Sequence, residues 1–471
     1  MKSINIKRVL ITVGIILILL FMMGITYLHF NYKKDIIEIV DLNNNIDVKY
    51  SDTSNVTFVN AKKGDIVSKT FTVKNIYNKS LYYRIILSNV TNNFDNNSLS
   101  YSLDSDNGAY IKQAYIIDDN YILSSLIRLD AGKQHTYSFN IKIVADETNN
   151  KTFSSNIKVD VISIDSLYEN NSLYAHVIND NNIKAFKNIN EDVNGVYYTN
   201  NSINGNMVYF YRGNNDLNNN VIINNYCYKI IRTTEDIGVK LIYNGVVNNG
   251  VCNNEENTLE LSKFNNNSNY NAYVGYMYGS PNSSNYITEH ENNNISAIMK
   301  KVNEFYQNNL VKYSSLIQDT IYCSNRKTAS FVLNSVKYST LGYKNYNTGY
   351  QSMYRLLNDE VSYACENIND RLNSNKLSYS IGLLTSDEAE FAGLNISNEN
   401  KDNYLYSSNP YWTMSPAYYN GINAYNFIIK DGKIIECEVN KENYIRPVIT
   451  LKKDAKVKSG NGSINSPYVI E

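Results

Sequence analysis

The sequence predicts a three-part chain: one membrane-spanning helix, then an all-β sandwich, then a mixed α+β domain. Three observations carry this. Residues 9–30 form an apolar run without a single Asp, Glu, Lys or Arg. From about 56 to 164, apolar and polar residues alternate in short segments with no helical stretch. Beyond that, strand-like and helix-like patterns follow one another, and all five cysteines fall there.

The apolar run, as a helix rising about 1.5 Å per residue, reaches roughly 33 Å, against a bilayer core about 30 Å thick. It is therefore expected to be a signal anchor over 9–30. Lys2, Lys7 and Arg8 precede it, and Lys33 and Lys34 follow it, so the positive-inside rule separates the two sides only weakly. The bulk of the chain beyond the run favours residues 1–8 in the cytoplasm and the remainder outside, a single-pass plasma-membrane protein. The competing reading is a cleaved signal peptide. That needs a shorter apolar region and a small-residue cleavage site, and Gly24-Ile25-Thr26 matches one poorly.

Net charge is −1, with 44 Lys and Arg against 45 Asp and Glu, which gives no basic groove for nucleic acid. Tyr occurs 43 times, Trp once and Pro five times, and Asn runs appear throughout. An AT-biased genome explains the Asn; side chains selected to bind sugars are the competing explanation. The chain lacks H-E-x-x-H, G-x-S-x-G, a P-loop and a strand-linked G-x-G-x-x-G, so no cofactor is expected. The four histidines are scattered and no C-x-x-C exists, so no metal site is expected either.

Cys227, Cys252, Cys323, Cys365 and Cys437 allow fifteen arrangements of two bridges, among which sequence alone does not choose. Local geometry favours Cys227–Cys252, which flank a hairpin of two strand-like segments, 226–232 and 239–243, around the polar turn 233–238. Cys323–Cys365 is then the natural second pair, with Cys437 free.

Residues 36–165 are expected to form a sandwich. Segments 70–75, 82–87, 137–143 and 157–161 each alternate with period two, as half-buried strands do. Gly64-Asp65 and Asp130-Ala131-Gly132 are turn signals ahead of strands. This layout resembles the immunoglobulin-like domains of bacterial surface proteins. Asp104, Asp106, Asp118 and Asp119 raise calcium as an alternative to ordinary Asp-Gly turns. Residues 166–195, rich in Asn and Asp, are expected to be a linker with one helical turn.

Residues 196–471 open with the hairpin above. Ile295, Ile298, Met299, Val302, Phe305 and Tyr306 then follow a three- and four-residue spacing that predicts an amphipathic, core-facing helix. Thr385-Ser386-Asp387-Glu388 is a capping box opening a short helix through Phe391. Its acidic residues suit a first helical turn. Tyr411-Trp412-Thr413-Met414-Ser415-Pro416 is followed by alternating strands about the turn Asp431-Gly432, and then by Tyr444-Ile445-Arg446-Pro447. On these motifs the segment 205–470 resembles a family of uncharacterised bacterial surface domains with a "WWLRSP … VRP" signature. It is also distantly similar to the C-type-lectin-like fold in its formylglycine-generating-enzyme variant. Met414 and Tyr411 depart from the first pattern, and the second lacks its reactive cysteine pair, since only Cys437 lies in that region.

The resemblance implies a lectin-like head, with Trp412, Tyr411, Tyr418, Tyr419 and Arg446 as ligand-binding candidates. Trp412, the only Trp, serves either as a core anchor or as a stacking platform for a sugar. Arg446 is expected to pair with Asp387 or Glu388. The function expected is non-enzymatic binding or adhesion at the cell surface, to a glycan, a cell-wall component or a host surface protein. The alternatives are a wall-polymer hydrolase, drawing Asp387, Glu388 or Glu390 together with Asp319 or Glu436, and a structural subunit of a surface assembly.

Overall fold

The computed structural model describes residues 46–471 apart from 60–61, 96–97, 106–107, 110, 117–121, 145–150, 163–167, 190–193, 204–205 and 253–255. The expected membrane span at 9–30 lies outside the described residues, as do Asp106, Asp118 and Asp119. Among the described residues no helix is long and apolar enough to cross a membrane, and no cluster of metal-ligating side chains occurs.

The first body is a sandwich of nine strands: β1 (Ile46–Tyr50), β2 (Asn55–Val59), β3 (Ile66–Asn75), β4 (Leu81–Asn92), β5 (Leu99–Ser105), β6 (Ile111–Tyr115), β7 (Ile122–Leu129), β8 (Gln134–Ile143) and β9 (Thr152–Ile162). One antiparallel sheet runs β1-β3-β8-β5-β6 and the other β2-β9-β4-β7. Period-two patterning decides the faces. In β8, His135, Tyr137, Phe139, Ile141 and Ile143 are buried while the residues between them are more exposed. β3 pairs with β8 so that Phe71 lies opposite Tyr137, and their rings stack at 5.0 Å. Tyrosine hydroxyls tie the sheets together: Tyr50 donates to the Ile157 carbonyl at 2.7 Å and Tyr101 to that of Leu123 at 3.1 Å. The Asp130–Lys133 turn closes with Lys133 N–H on the Asp130 carbonyl at 3.0 Å, and Gly132 supplies the positive φ.

The second body corrects the expected fold. It is built on two large sheets and three two-stranded ones rather than on an α+β C-type-lectin-like plan. A ten-stranded mixed sheet runs Ile183–Ala185, Gly195–Thr199, Val208–Arg212, Tyr226–Thr233, Asn220–Ile223, Tyr468–Ile470 and Val457–Ser459. Val239–Val246 joins it to Pro447–Leu451 and Gly382–Leu383. A six-stranded sheet comprises Leu261–Lys263, Glu442–Tyr444, Tyr411–Tyr419, Ala424–Lys430 and Lys433–Glu438, with Thr348–Gly349 on its side. The amphipathic stripe does form a helix, Ala297–Asn309, burying Ile298, Met299, Val302 and Tyr306. At 13 residues it is the longest helix among the described residues, so strand dominates.

Within 166–195, expected to be a linker with one helical turn, the helix is longer than a turn and packed into the protein. Ser172 caps the helix Leu173–Asn179, whose Leu173, Tyr174, Val177 and Ile178 are buried. Leu173 N–H bonds the Ala455 carbonyl, near the other end of the chain, at 2.8 Å. The two bodies meet directly: Met207 N–H bonds the Ser125 carbonyl at 3.1 Å, and Asn200 Nδ2 donates to Ser124 Oγ at 2.6 Å.

Candidate functional site

Of the residues singled out at the C-terminal signature, all but Tyr418 are buried, and only Arg446 and Tyr411 come together. Trp412 is fully buried, its indole edge-on to Phe264 and its Nε1–H on the Ser262 carbonyl at 2.9 Å. A stacking platform needs an open ring face, and this ring has none. It is a core anchor whose polar edge is satisfied. Tyr411 is likewise buried, donating to the Leu405 carbonyl at 2.8 Å. Tyr418 and Tyr419 stand at the far end of the same strand, roughly 23 Å away at strand rise. Tyr419 is buried, with its hydroxyl on the Asn269 carbonyl at 2.9 Å. Tyr418 keeps partial exposure between Tyr338 and Tyr425.

Arg446 does not pair with a carboxylate. Its Nε bonds the Tyr243 carbonyl at 3.0 Å, Nη1 the Leu405 carbonyl at 2.7 Å and Nη2 the Asn244 Oδ1 at 3.0 Å, over the Tyr411 ring. The charge is spread over neutral acceptors and a π face, which Arg tolerates better than a compact ammonium does.

Asn244, which accepts from Arg446, also lines a groove. The groove holds about 410 Å³ of space and is walled by Asn215, Asn244, Asn257, Asp402, Tyr406 and Ser408, with Lys401 beside them. Its walls are held by backbone. Asn215 N–H bonds the Asp402 carbonyl at 2.8 Å, Tyr404 N–H bonds the Gly213 carbonyl at 3.2 Å, and Asn257 Nδ2 donates to the Tyr406 carbonyl at 3.1 Å. The Cys227–Cys252 disulfide, with Cα atoms 5.6 Å apart, ties the Cys252 wall to the central sheet. Amides, hydroxyls and a partly exposed tyrosine, with one residue of each charge, suit an uncharged polyhydroxylated ligand.

Below this wall Lys229 is buried, with Nζ on Asn215 Oδ1 at 2.7 Å. Burial, helped by the nearby Arg446 charge, depresses its ammonium to about 7.

The acidic helix Ser386–Phe391 forms with its capping box, Glu388 N–H on Thr385 Oγ1 at 3.1 Å and Thr385 N–H on Glu388 Oε2 at 3.0 Å. Its carboxylates are occupied inside the protein, however. Asp387 takes both Arg355 Nε at 2.6 Å and Nη2 at 2.7 Å. Glu388 accepts from Lys240 at 2.6 Å and Arg232 at 3.1 Å. Burial opposes its ionisation, but these two charges outweigh it and hold the carboxyl down to about 2. Glu390 is pushed up to about 9 by burial and by Asp387 and Asp359, and its Oε2 has no partner. Asp319 and Glu436 are exposed. Two-carboxylate hydrolysis needs both groups facing one substrate, and the buried helix and these surface residues provide no such face.

The groove residues Asn215, Asn244, Asn257 and Tyr406 escaped the sequence reading, because Asn is common everywhere in the chain. The usable signal was the bridge that brings Cys252 to the sheet. Cys323–Cys365 is the second disulfide, Cα atoms 5.7 Å apart, and Cys437 is free. No protein-family model, curated protein or solved structure matches this chain.

Proposed function

We propose that this chain is a non-enzymatic binding protein of the bacterial cell surface, whose second body takes an uncharged glycan or cell-wall saccharide in the groove walled by Asn215, Asn244, Asn257 and Tyr406. The observation that carries the reading is the groove's wall chemistry: side-chain amides and hydroxyls around about 410 Å³, with the wall residue Asn244 held by the buried Arg446 guanidinium. Two disulfides favour an oxidising compartment and hence the outer side of the membrane. The commitment of Asp387 and Glu388 to buried ion pairs weighs against the hydrolase alternative.

The test is a glycan and cell-wall-polymer array probed with the full chain and with Tyr406→Ala and Asp402→Ala. Saturable binding that falls about tenfold in either variant, with the ligand recovered intact, is the expected result. Binding indifferent to both substitutions would refute the groove, and cleaved ligand would refute the non-enzymatic reading.

A further inference from the structure

A second cavity, of about 400 Å³, lies between the sandwich and the second body. Its walls divide by chemistry. Ile127, Ile178, Ile183 and Met207 give it an apolar side. Arg128, Lys133 and His135, all from the sandwich around the β7–β8 turn, give it a side of hydrogen-bond donors.

Those donors retain capacity. Arg128 spends Nε on Asp130 at 2.9 Å and Nη1 on the Ile178 carbonyl at 2.9 Å and Asn179 Oδ1 at 3.3 Å, while Nη2 has no partner among the described residues. The Lys133 ammonium makes no ion pair among the described residues and is exposed. Asp130, the carboxylate on the same rim, is already engaged by Ser80 Oγ at 2.8 Å and by Arg128. Its charge is therefore largely spent.

A chain of hydroxyls decides what His135 offers. Ala109 N–H donates to the Tyr137 hydroxyl at 3.1 Å, Tyr137 and Tyr83 hydroxyls are bonded to each other, and the Tyr83 hydroxyl meets His135 Nδ1 at 2.7 Å. Every hydrogen is used only if Tyr137 donates to Tyr83 and Tyr83 donates to Nδ1. The reverse order would leave the Tyr137 hydrogen without an acceptor. Nδ1 is then an acceptor, and the ring hydrogen sits on Nε2. Burial holds the ring neutral, its pKa lowered to about 4, so His135 contributes a fixed N–H donor rather than a charge. In the same wall the Tyr198 hydroxyl is buried with no partner.

We propose that this cavity binds a small carboxylate with an apolar body, the carboxylate on Arg128, Lys133 and His135 and the hydrocarbon against Ile178, Ile183 and Met207. A planar carboxylate matches the guanidinium edge and the two flanking donors, and the volume lies within the range of small-molecule sites. Since both bodies line it, such a ligand would bind only while they remain docked. The inference is independent of the glycan groove, which shares none of these residues.

The experiment is calorimetric titration of the full chain with 4-methylpentanoate, beside its neutral amide 4-methylpentanamide, and the same titrations on Lys133→Glu. Lys133 is exposed, so the variant should fold. Saturable binding of the carboxylate is expected, at least about tenfold tighter than the amide and at least about tenfold weakened in the variant. No binding at about 10 mM, equal binding of acid and amide, or an unchanged affinity in Lys133→Glu would each overturn the proposal.

Discussion

Replacing Lys229 by Met should stabilise the second body, and by an amount that shrinks as pH rises. The Lys229 ammonium is buried, with one hydrogen-bond acceptor and no carboxylate on it, and its folded value lies near 7 against 10.5 for an ordinary lysine. Below pH 7 both folded and unfolded chains carry the proton, and the full cost of burying it is present. Between about 7 and 10.5 the unfolded chain holds the proton and the folded one does not, so wild-type stability rises with pH across that window. At about 1.4 kcal/mol per pKa unit the whole difference is about 5 kcal/mol, and the rise from pH 7 to 9 is about 2 kcal/mol. Methionine fills the same space without the charge. It also loses the bond to Asn215, about 1 kcal/mol, but Asn215 is exposed and turns to water instead. A net gain of about 3 kcal/mol at pH 6 is expected after relaxation. Urea unfolding at pH 6, 7, 8 and 9 measures it, and Trp412 fluorescence is the probe because the single Trp lies in this body. Wild-type and Lys229→Met curves that keep a constant separation from pH 6 to 9 would refute the argument.

Glu390 should behave with the opposite sign. Its folded value is about 9, above the ordinary 4.5, so wild-type stability falls as pH rises between those values. Glu390→Gln should gain about 3 kcal/mol at pH 7 and lose that alkaline dependence, checked by urea unfolding from pH 5 to 9. Asp387→Asn leaves the Arg355 guanidinium buried without its counter-charge and should cost about 3–5 kcal/mol in the same assay. Removing the Cys227–Cys252 bridge as a double Ser variant frees a loop with a sequence separation of 25. A loss of about 3.5 kcal/mol is expected, with the groove's binding weakened alongside, as read by unfolding and by the array.

Local patterning carried far in this chain. The period-two segments at 70–75, 82–87, 137–143 and 157–161 are parts of β3, β4, β8 and β9, because a half-buried strand writes its two faces into alternate residues. The hairpin about 233–238, the capping box at Thr385 and the turn at Asp431-Gly432, both residues at positive φ, depend on residues close in sequence. The two bridges suggested by chain proximity are the two that close.

What failed was whatever depends on distant partners. Residues 166–195 look like a linker because Asn and Asp are frequent there, yet their helix is buried against the segment around Lys456. The charges of Asp387 and Glu388 suit a first helical turn, but their partners, Arg355, Arg232 and Lys240, come from three other segments. Arg446, expected to meet one of those carboxylates, finds carbonyls from Tyr243 and Leu405 instead.

The lectin-like assignment rested on spaced motifs, and a motif does not say which strands pair. By itself the sequence determined the strand faces and the turns and caps, and it favoured the local disulfide without choosing it. Only the tertiary structure decided how the second body's strands divide among its sheets, which charges are paired in the core, and where the groove and the interbody cavity lie. The reason is range: periodicity and turn chemistry act within a few residues, whereas a wall built from Asn215, Asn257 and Tyr406 exists only after sheet pairing has joined segments nearly two hundred residues apart.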